Sequence, residues 1–317
     1  MIEVASALVE RAGLAAGGAI GVRVLSGGAN NRVFEVEGAS RPVVLKAYFQ
    51  GGPRDRLESE WAFCSYAWER GITTLPEPIA RDRDAGAALY SLLPGRRLAA
   101  GAVEERHVRQ ARAFVEALQA GRDAAALPDG AEACSSTTEH LELVGARVER
   151  LARIEDPDAR RLVDGHVRPA WERVAARVRP DDEPVERCVS PSDFGFHNAL
   201  VDAGGTVRFL DFEYAGWDDP AKLLCDFFCQ PEVPVGLEHW PSMAAAAPAE
   251  AAERARLLLD VYRIKWCCIM LNEFLPSGAR RRGYALGSLE PRRREPEQLA
   301  KVRAALDELG SEPPRED

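Results

Sequence analysis

Ser190-Pro191-Ser192-Asp193-Phe194-Gly195-Phe196-His197-Asn198, leading on to Asp211-Phe212-Glu213, is the stretch whose reading decides the fold. An acid, an amide five positions on, and a second acid closing an apolar run form a spacing that holds divalent metal beside a base, an arrangement suited to phosphoryl transfer. Between Asn198 and Asp211 lie two short apolar runs separated by Gly204-Gly205, which predicts a β-hairpin. Folded at that pair, the hairpin sets Asn198 opposite Asp211, and facing residues on antiparallel strands have Cβ atoms about 5 Å apart. An amide oxygen and a carboxylate so placed suit one Mg2+, a hard cation that takes oxygen ligands. Asp193 falls in the loop that enters the hairpin.

Outward from this stretch, the composition sets bounds. A chain of 317 residues, 46% hydrophobic and 29% charged, builds one large domain or two lobes with a sizeable core. A net charge of −9 argues against a general nucleic-acid surface. Met1-Ile2-Glu3-Val4-Ala5-Ser6 lacks the layout of a signal peptide and no apolar run reaches the length of a membrane span, so a cytoplasmic protein is expected. Seven cysteines without regular Cys-x-x-Cys spacing read as reduced, buried thiols rather than a disulfide or zinc framework. Arg280-Arg281-Arg282 and Arg292-Arg293-Arg294 read as solvated faces, and residues 311–317 as a loose acidic tail.

Upstream, Val22 and Val24, then Val33-Phe34-Glu35-Val36, predict a hairpin around Ser26-Gly27-Gly28-Ala29-Asn30-Asn31. Backbone N–H groups of Ser26, Gly27, Gly28 and Asn30 are candidates for covering phosphates, although the loop matches neither G-x-G-x-x-G nor the Walker pattern. Pro42 to Phe49 reads as a third strand with Lys46 in the middle of an apolar run. A buried ammonium needs a partner. Val44, Lys46 and Tyr48 share a face by the two-residue period, a surface suited to an adenine ring. Asp55 caps the next helix, with Glu58 three residues on and Gly71 at its end, and Leu57, Trp61, Cys64 and Trp68 form its inward stripe. Glu60 lies at the border of that stripe and is the candidate partner of Lys46, with Glu58 second.

Ala87 to Leu93, closed by Pro94-Gly95, reads as the seam between two lobes, where the backbone at Ser91 and Leu93 is placed to recognise adenine. Residues 1–93 then form a β-rich nucleotide-binding lobe and 94–317 a mainly helical lobe. Helices are expected over 104–120, from a capping box at Ser136 and Glu139, over 158–178 and over 250–275.

Lys46, Glu60, Asp193 with Asn198, and Asp211 occur in the order of the protein-kinase signature set. The chain resembles the small-molecule branch, the aminoglycoside phosphotransferase and choline kinase-like phosphotransferase enzyme family. Val189 to Asn198 is similar to its catalytic loop, Phe209-Leu210-Asp211-Phe212-Glu213-Tyr214-Ala215-Gly216 to its metal segment, and Asp218-Asp219-Pro220 with Asp226 to the segment beyond it. The similarity covers roughly residues 20–275. It implies an α+β, two-lobed protein kinase-like fold with ATP and Mg2+ as cofactors. By the same resemblance Asp193 is the base, Asn198 and Asp211 are metal ligands, Lys46 is the phosphate-binding lysine and Glu60 its partner. The expected activity is transfer of the γ-phosphate of Mg-ATP to a hydroxyl of a small molecule. Pro191 departs from the family, which places a histidine there, and so leaves a nucleotide-binding scaffold without catalysis as the alternative. A protein kinase is disfavoured because no segment ending in Ala-Pro-Glu follows Asp211. Glu213, Asp226 and Glu273, together with Asp218, Asp219 and Glu232, offer negative charge on the large lobe. Acidic walls favour a cationic acceptor such as an aminoglycoside or a choline-like amine, while the competing reading of Asp226 is a brace for the catalytic loop.

Overall fold

The computed structural model describes residues 1–25, 31–51, 54–121, 127–275 and 295–314. Its first lobe is an antiparallel sheet of five strands: β1 (Gly21–Leu25), β2 (Arg32–Glu37), β3 (Val43–Ala47), β4 (Pro78–Asp82) and β5 (Ala87–Ser91), in the order β1-β2-β3-β5-β4. The period of two in β3 sends its residues to two different cores. Val43, Leu45 and Ala47 meet Ala5, Leu8 and Val9 of helix α1 (Ile2–Arg11). Val44, Lys46 and the following Tyr48 face helix α2 (Arg56–Glu69). Helix α1 has no counterpart in the sequence reading, although Ala5, Leu8 and Val9 show the i, i+3, i+4 pattern of an apolar stripe.

The second lobe is mainly helical: α3 (Glu105–Gln119), α4 (Thr137–Arg150), α5 (Pro157–Leu162), α6 (Arg168–Ala175), α7 (Pro220–Cys229), α8 (Trp240–Ala244), α9 (Ala249–Leu271) and a last described helix, Glu295–Asp307. The single helix expected over 158–178 is divided by a π-helical turn at Val163–Val167. Pro169 has no N–H to give the carbonyl of Gly165 and its ring crowds that turn, so the chain widens there. The C-terminal half of α9 is buried on every side, including Val261, Tyr262, Ile264, Lys265, Trp266, Cys267 and Cys268, as befits the central helix of a lobe. Two small ribbons lie between the lobes: β6 (Cys188–Ser190) with β9 (Gly216–Asp218), and β7 (Ala199–Val201) with β8 (Val207–Phe209). Together these elements make a two-lobed, protein kinase-like α+β fold. Among the described residues, no helix is long and apolar enough to cross a membrane.

Among the described residues, several contacts fix the linker and join the lobes. Arg96, just beyond Pro94-Gly95, pairs with Val201 through both backbone bonds (3.0 and 2.9 Å), extending the β7–β8 ribbon. Gly95 has φ +130°, and a Cβ there would stand 2.8 Å from the Val201 carbonyl oxygen, so this approach needs glycine. Phe209 N–H donates to Thr74 O at 2.8 Å. Phe212 stacks on Phe63 of α2 at 4.7 Å and sits 6.1 Å from Phe114 of α3, so the segment that follows β8 is pinned between a helix of each lobe.

Candidate active site

The alternation of β3 aims Lys46 at α2, and Phe212 turns Asp211 and Glu213, one on either side of it, toward the first lobe. Lys46 Nζ lies 2.6 Å from Glu60 Oε2 and 2.6 Å from Asp211 Oδ1, one carboxylate from each lobe. Tyr48 Oη donates to Glu60 Oε2 at 2.9 Å and meets Tyr90 Oη at 2.9 Å. Burial pushes the Lys46 ammonium down, but the charges of Asp211, Glu60 and Glu213 outweigh it and hold Lys46 above its ordinary value, so it stays cationic. Glu60 belongs to the buried face of α2, with Leu57, Phe63, Cys64 and Ala67, rather than to its border. Trp61 and Trp68, expected on the inward stripe, are instead half-buried at its edge. There Trp61 carries the Arg81 guanidinium, 4.8 Å from the ring centroid, and Trp68 Nε1 donates to Leu75 O at 3.2 Å. Glu58 faces Arg83 and Arg81 at the surface, away from Lys46.

The catalytic-loop candidate runs from β6 into a 3-10 turn, Phe196–Asn198, that delivers Asn198 to the start of β7. Ser192 and Asp211 have φ +66° and +69°, left-handed conformations that aspartate tolerates and that store strain where two site segments turn. Asn198 Nδ2 donates to the Asp193 carbonyl at 3.0 Å, which turns the amide oxygen the other way. His197 Nε2 lies 3.1 Å from Asp193 Oδ1. Burial pushes the Asp193 carboxyl up, yet His197, Lys265 and the Asn198 amide prevail and hold it below the usual carboxylate range. Its side chain keeps 35% of its surface exposed, so an ionised oxygen is open to a ligand.

The β7–β8 ribbon corrects the expected register by one residue. Ala199 faces Phe209, and Leu210 N–H donates to Asn198 O at 2.9 Å, so Asn198 stands opposite Leu210 and Asp211 lies one step past it. The cause is the turn. Asp202 N–H bonds Thr206 O at 3.0 Å around a three-residue loop, Ala203-Gly204-Gly205, with Gly205 at φ +81°, rather than a two-residue turn at Gly204-Gly205. Asp202 Oδ1 accepts from Gly204 and Thr206 N–H and fixes that loop (2.9 and 3.0 Å). Asn198 and Asp211 still flank one ribbon end, and both offer hard oxygen donors, Asp211 with 37% of its side chain exposed. Among the described residues there is no cluster of three or more His, Cys, Asp or Glu able to hold a metal by itself. One carboxylate and one amide fit Mg2+, which keeps water and phosphate oxygens in its shell, better than a caged transition metal.

The acids expected to wall an acceptor site are otherwise engaged. Glu213 is fully buried, accepts from Asn31 Nδ2 at 2.5 Å and has Arg56 3.8 Å away. Burial and the Asp211 charge push its carboxyl up. Asn31 and Arg56 both belong to the first lobe. Asp226 is held by Lys265 Nζ (2.8 Å to each oxygen) and by Trp266 Nε1 (2.9 Å). Asp218 pairs with Lys222, Asp219 with Arg254 (2.8 and 2.7 Å) and His140 (3.0 Å), and Glu232 with Lys301 (2.9 Å). Glu273 lies in the turn after α9, about 12 Å along the axis from Lys265 by helical rise. Ser91 uses its N–H on Glu77 O (3.1 Å), and its hydroxyl accepts from Glu77 N–H (2.9 Å), so its side chain serves the β4–β5 edge. Leu93 follows in the extended seam, half-buried. Ser26, Gly27, Gly28 and Asn30 lie outside the described residues.

Several site residues escaped the sequence reading. His197, four positions after Asp193, carried a local signal that was available. Asn31, Arg54 and Arg97 did not, because their partners lie far away in the sequence: Arg54 donates to Glu213 O (3.1 Å) and Ala215 O (2.7 Å), and Arg97 to His197 O (2.5 Å).

A buried lysine shared by carboxylates of two lobes, beside an acid–amide loop and a second acid, defines the class as a small-molecule phosphotransferase. The profile of the phosphotransferase enzyme family matches residues 21–263, and the chain belongs to that family. No curated protein matches it significantly. Among solved structures it is similar to the ADP-bound aminoglycoside phosphotransferase APH(2'')-Ib, with a TM-score of 0.59 at 12% identity over 96% of each chain. It is also similar to choline kinase from Cryptosporidium parvum Iowa II, with a TM-score of 0.57 at 12% identity over 91% of this chain and 90% of that one. A third likeness is to the macrolide 2'-phosphotransferase MphH apoenzyme from Brachybacterium faecium, with a TM-score of 0.53 at 21% identity over 98% of each.

Proposed function

We propose that the chain transfers the γ-phosphoryl group of ATP to a hydroxyl of a small molecule, with ATP in the cleft between a lobe of residues 1–93 and a lobe of residues 94–317. The observation that carries this reading is Lys46, held charged between Glu60 of one lobe and Asp211 of the other at 2.6 Å each. The ADP bound to the related aminoglycoside phosphotransferase supports the choice of nucleotide. Lys46 presents a fixed cation to the phosphates and needs no reorganisation to do so. Asn198 and Asp211 would hold Mg2+, which when bound neutralises charge on the β- and γ-phosphate oxygens. Asp193, ionised at neutral pH and partly exposed, accepts a hydrogen bond from the acceptor hydroxyl, aims it at phosphorus and takes its proton as the new O–P bond forms and the bond from the γ-phosphorus to the β–γ bridging oxygen breaks, with ADP as leaving group. Most of the rate acceleration then comes from positioning and charge.

The test is a panel of metabolites and antibiotics assayed for phosphorylation dependent on Mg-ATP, with Asp193→Asn as control. Turnover of some acceptor is expected, with the control down by about 1,000-fold or more and ATP affinity retained. Tight ATP binding with no acceptor phosphorylated would leave a nucleotide-binding scaffold and sink the kinase reading.

A further inference from the structure

We infer that His197 is the positioning residue of Asp193, an assignment that rests on Asp193 being the base. His197 Nε2 is 3.1 Å from Asp193 Oδ1, while Nδ1 is buried and has no hydrogen-bond partner. The ring therefore directs its hydrogen bonding at one oxygen of the carboxylate. A carboxylate only accepts, so Nε2 carries the proton. Asn198 Nδ2 lies 3.2 Å from Nε2 and donates to the Asp193 carbonyl; a protonated Nε2 cannot accept from the second amide hydrogen, so the Nε2–H is left to Asp193. The Asn198 amide reaches the other oxygen, Asp193 Oδ2, only at 3.5 Å, the longer and weaker of the two contacts to this carboxylate. Among the described residues, His197 is then the side chain that sets the rotation of this carboxylate and leaves Oδ2 for an acceptor.

The ring is itself held in place. It meets the Trp266 ring edge-on at 6.2 Å and 84°. Trp266 Nε1 donates to Asp226, which Lys265 clamps through both oxygens, so a buried ion pair fixes the wall against which His197 rests. Space for the ring comes from Gly195. A Cβ there would lie 2.9 Å from His197 Nδ1 and 3.1 Å from Gln230 Cγ. The backbone of Gly195 is extended (φ 163°), so the ring rather than the backbone demands glycine. Arg97 holds the His197 carbonyl from the lobe linker. Through Trp266 and His197, the Lys265–Asp226 pair thereby stiffens the base.

Two readouts test this. In protein labelled with 15N-histidine, with His197 assigned from the His197→Gln spectrum, the Nε2–H tautomer is expected, with its signals moved in Asp193→Ala. An Nδ1–H tautomer, or signals indifferent to Asp193→Ala, would overturn the assignment without touching the kinase reading. In Mg-ATP turnover with an acceptor from the panel, His197→Leu should lower kcat about 10- to 100-fold, the cost of a base displaced by about 1 Å, with KM for ATP changed less than twofold. His197→Gln, whose amide nitrogen also donates to Asp193, should recover most of that loss. Gly195→Ala should act like His197→Leu alone and add nothing to it in the double variant. Equal loss in His197→Leu and His197→Gln, or a rise in KM for ATP in place of a fall in kcat, makes the ring mere packing and refutes the proposal. Absence of any turnover by the unmodified protein refutes the kinase reading and this role with it, whatever the spectra show.

Discussion

Lys46→Met tests the centre of the site through folding, with no acceptor required. The Glu60 side chain is 3% exposed, and its partners are Lys46 Nζ at 2.6 Å and Tyr48 Oη at 2.9 Å. Methionine fills the volume of the lysine stem but leaves a buried carboxylate with one neutral hydrogen bond. Removing one partner of a buried pair costs about 3–5 kcal/mol, because the remaining charge is left uncompensated. At about 2.1 cal/mol/K per residue over the whole chain, 3 kcal/mol lowers Tm by about 4–5 °C. Lys46→Met with Glu60→Leu should regain at least half of the loss, since replacing both members of such a pair by apolar groups is often neutral. The pH dependence has a definite sign. Burial already pushes Glu60 up, and without the Lys46 charge that opposes it the folded value rises further above the unfolded one of about 4.3. Stability is then fully present below that value and falls as pH rises, so the deficit should be smaller at pH 5 than at pH 8. Urea and thermal unfolding at both pH values provide the assay. A loss below about 1 kcal/mol at pH 8, or a double variant as unstable as Lys46→Met, would show that Lys46 does not compensate a buried charge, and the argument from its burial would fall.

Asp219, fully buried, should show the opposite pH sign. Burial pushes it up, but the hydrogen bonds of His140 and Arg254 and the Ala221 N–H hold it below its ordinary value, so its contribution is present above about pH 4 and lost as pH falls through the folded value. Arg254→Met should therefore cost about 3 kcal/mol in denaturant at pH 7, and less below pH 3. Gly95→Val places a Cβ 2.8 Å from Val201 O at φ +130° and should cost about 2–3 kcal/mol, with faster hydrogen exchange at the Val201 amide as its pairing with Arg96 opens. All seven thiols are pushed up by burial, so a disulfide reagent at pH 8 should label few of them in the native protein and all of them in denaturant; rapid native labelling would contradict the packing around Cys64, Cys225, Cys267 and Cys268.

What the sequence disclosed and what it hid divide along a physical line. Local physics was legible: the Asp55 and Ser136 caps, the period of two that aims Lys46 at α2, and the long apolar α9 all follow from neighbours within a few residues. The order of Lys46, Glu60, Asp193, Asn198 and Asp211 was legible as well, and the cleft brings Lys46 to both Glu60 and Asp211. Register was read one residue wrong because the Asp202 side chain stabilises a three-residue loop that competes with a two-residue turn at the same glycines. The π turn before Pro169 and the rotated stripe of α2 likewise depend on what each helix packs against.

The acids show why charge is the hardest property to read from a sequence. Asp226 and Lys265 are 39 positions apart, Asp219 and Arg254 35, and Glu232 and Lys301 69, so nothing near each acid announces its counter-ion. Counting acids on the large lobe therefore measured the sequence, not the field an acceptor meets. A buried carboxylate that has a lysine or arginine within 3 Å offers little charge to a third group, and its oxygens are already filled. Asp226 illustrates the consequence: its charge is spent on Lys265, and what it passes toward Asp193 is the position of Trp266 and, through it, of His197. On the proposed reading the acceptor meets a base held in place by an ion pair, and a preference for cations would have to come from groups other than Asp218, Asp219 and Asp226.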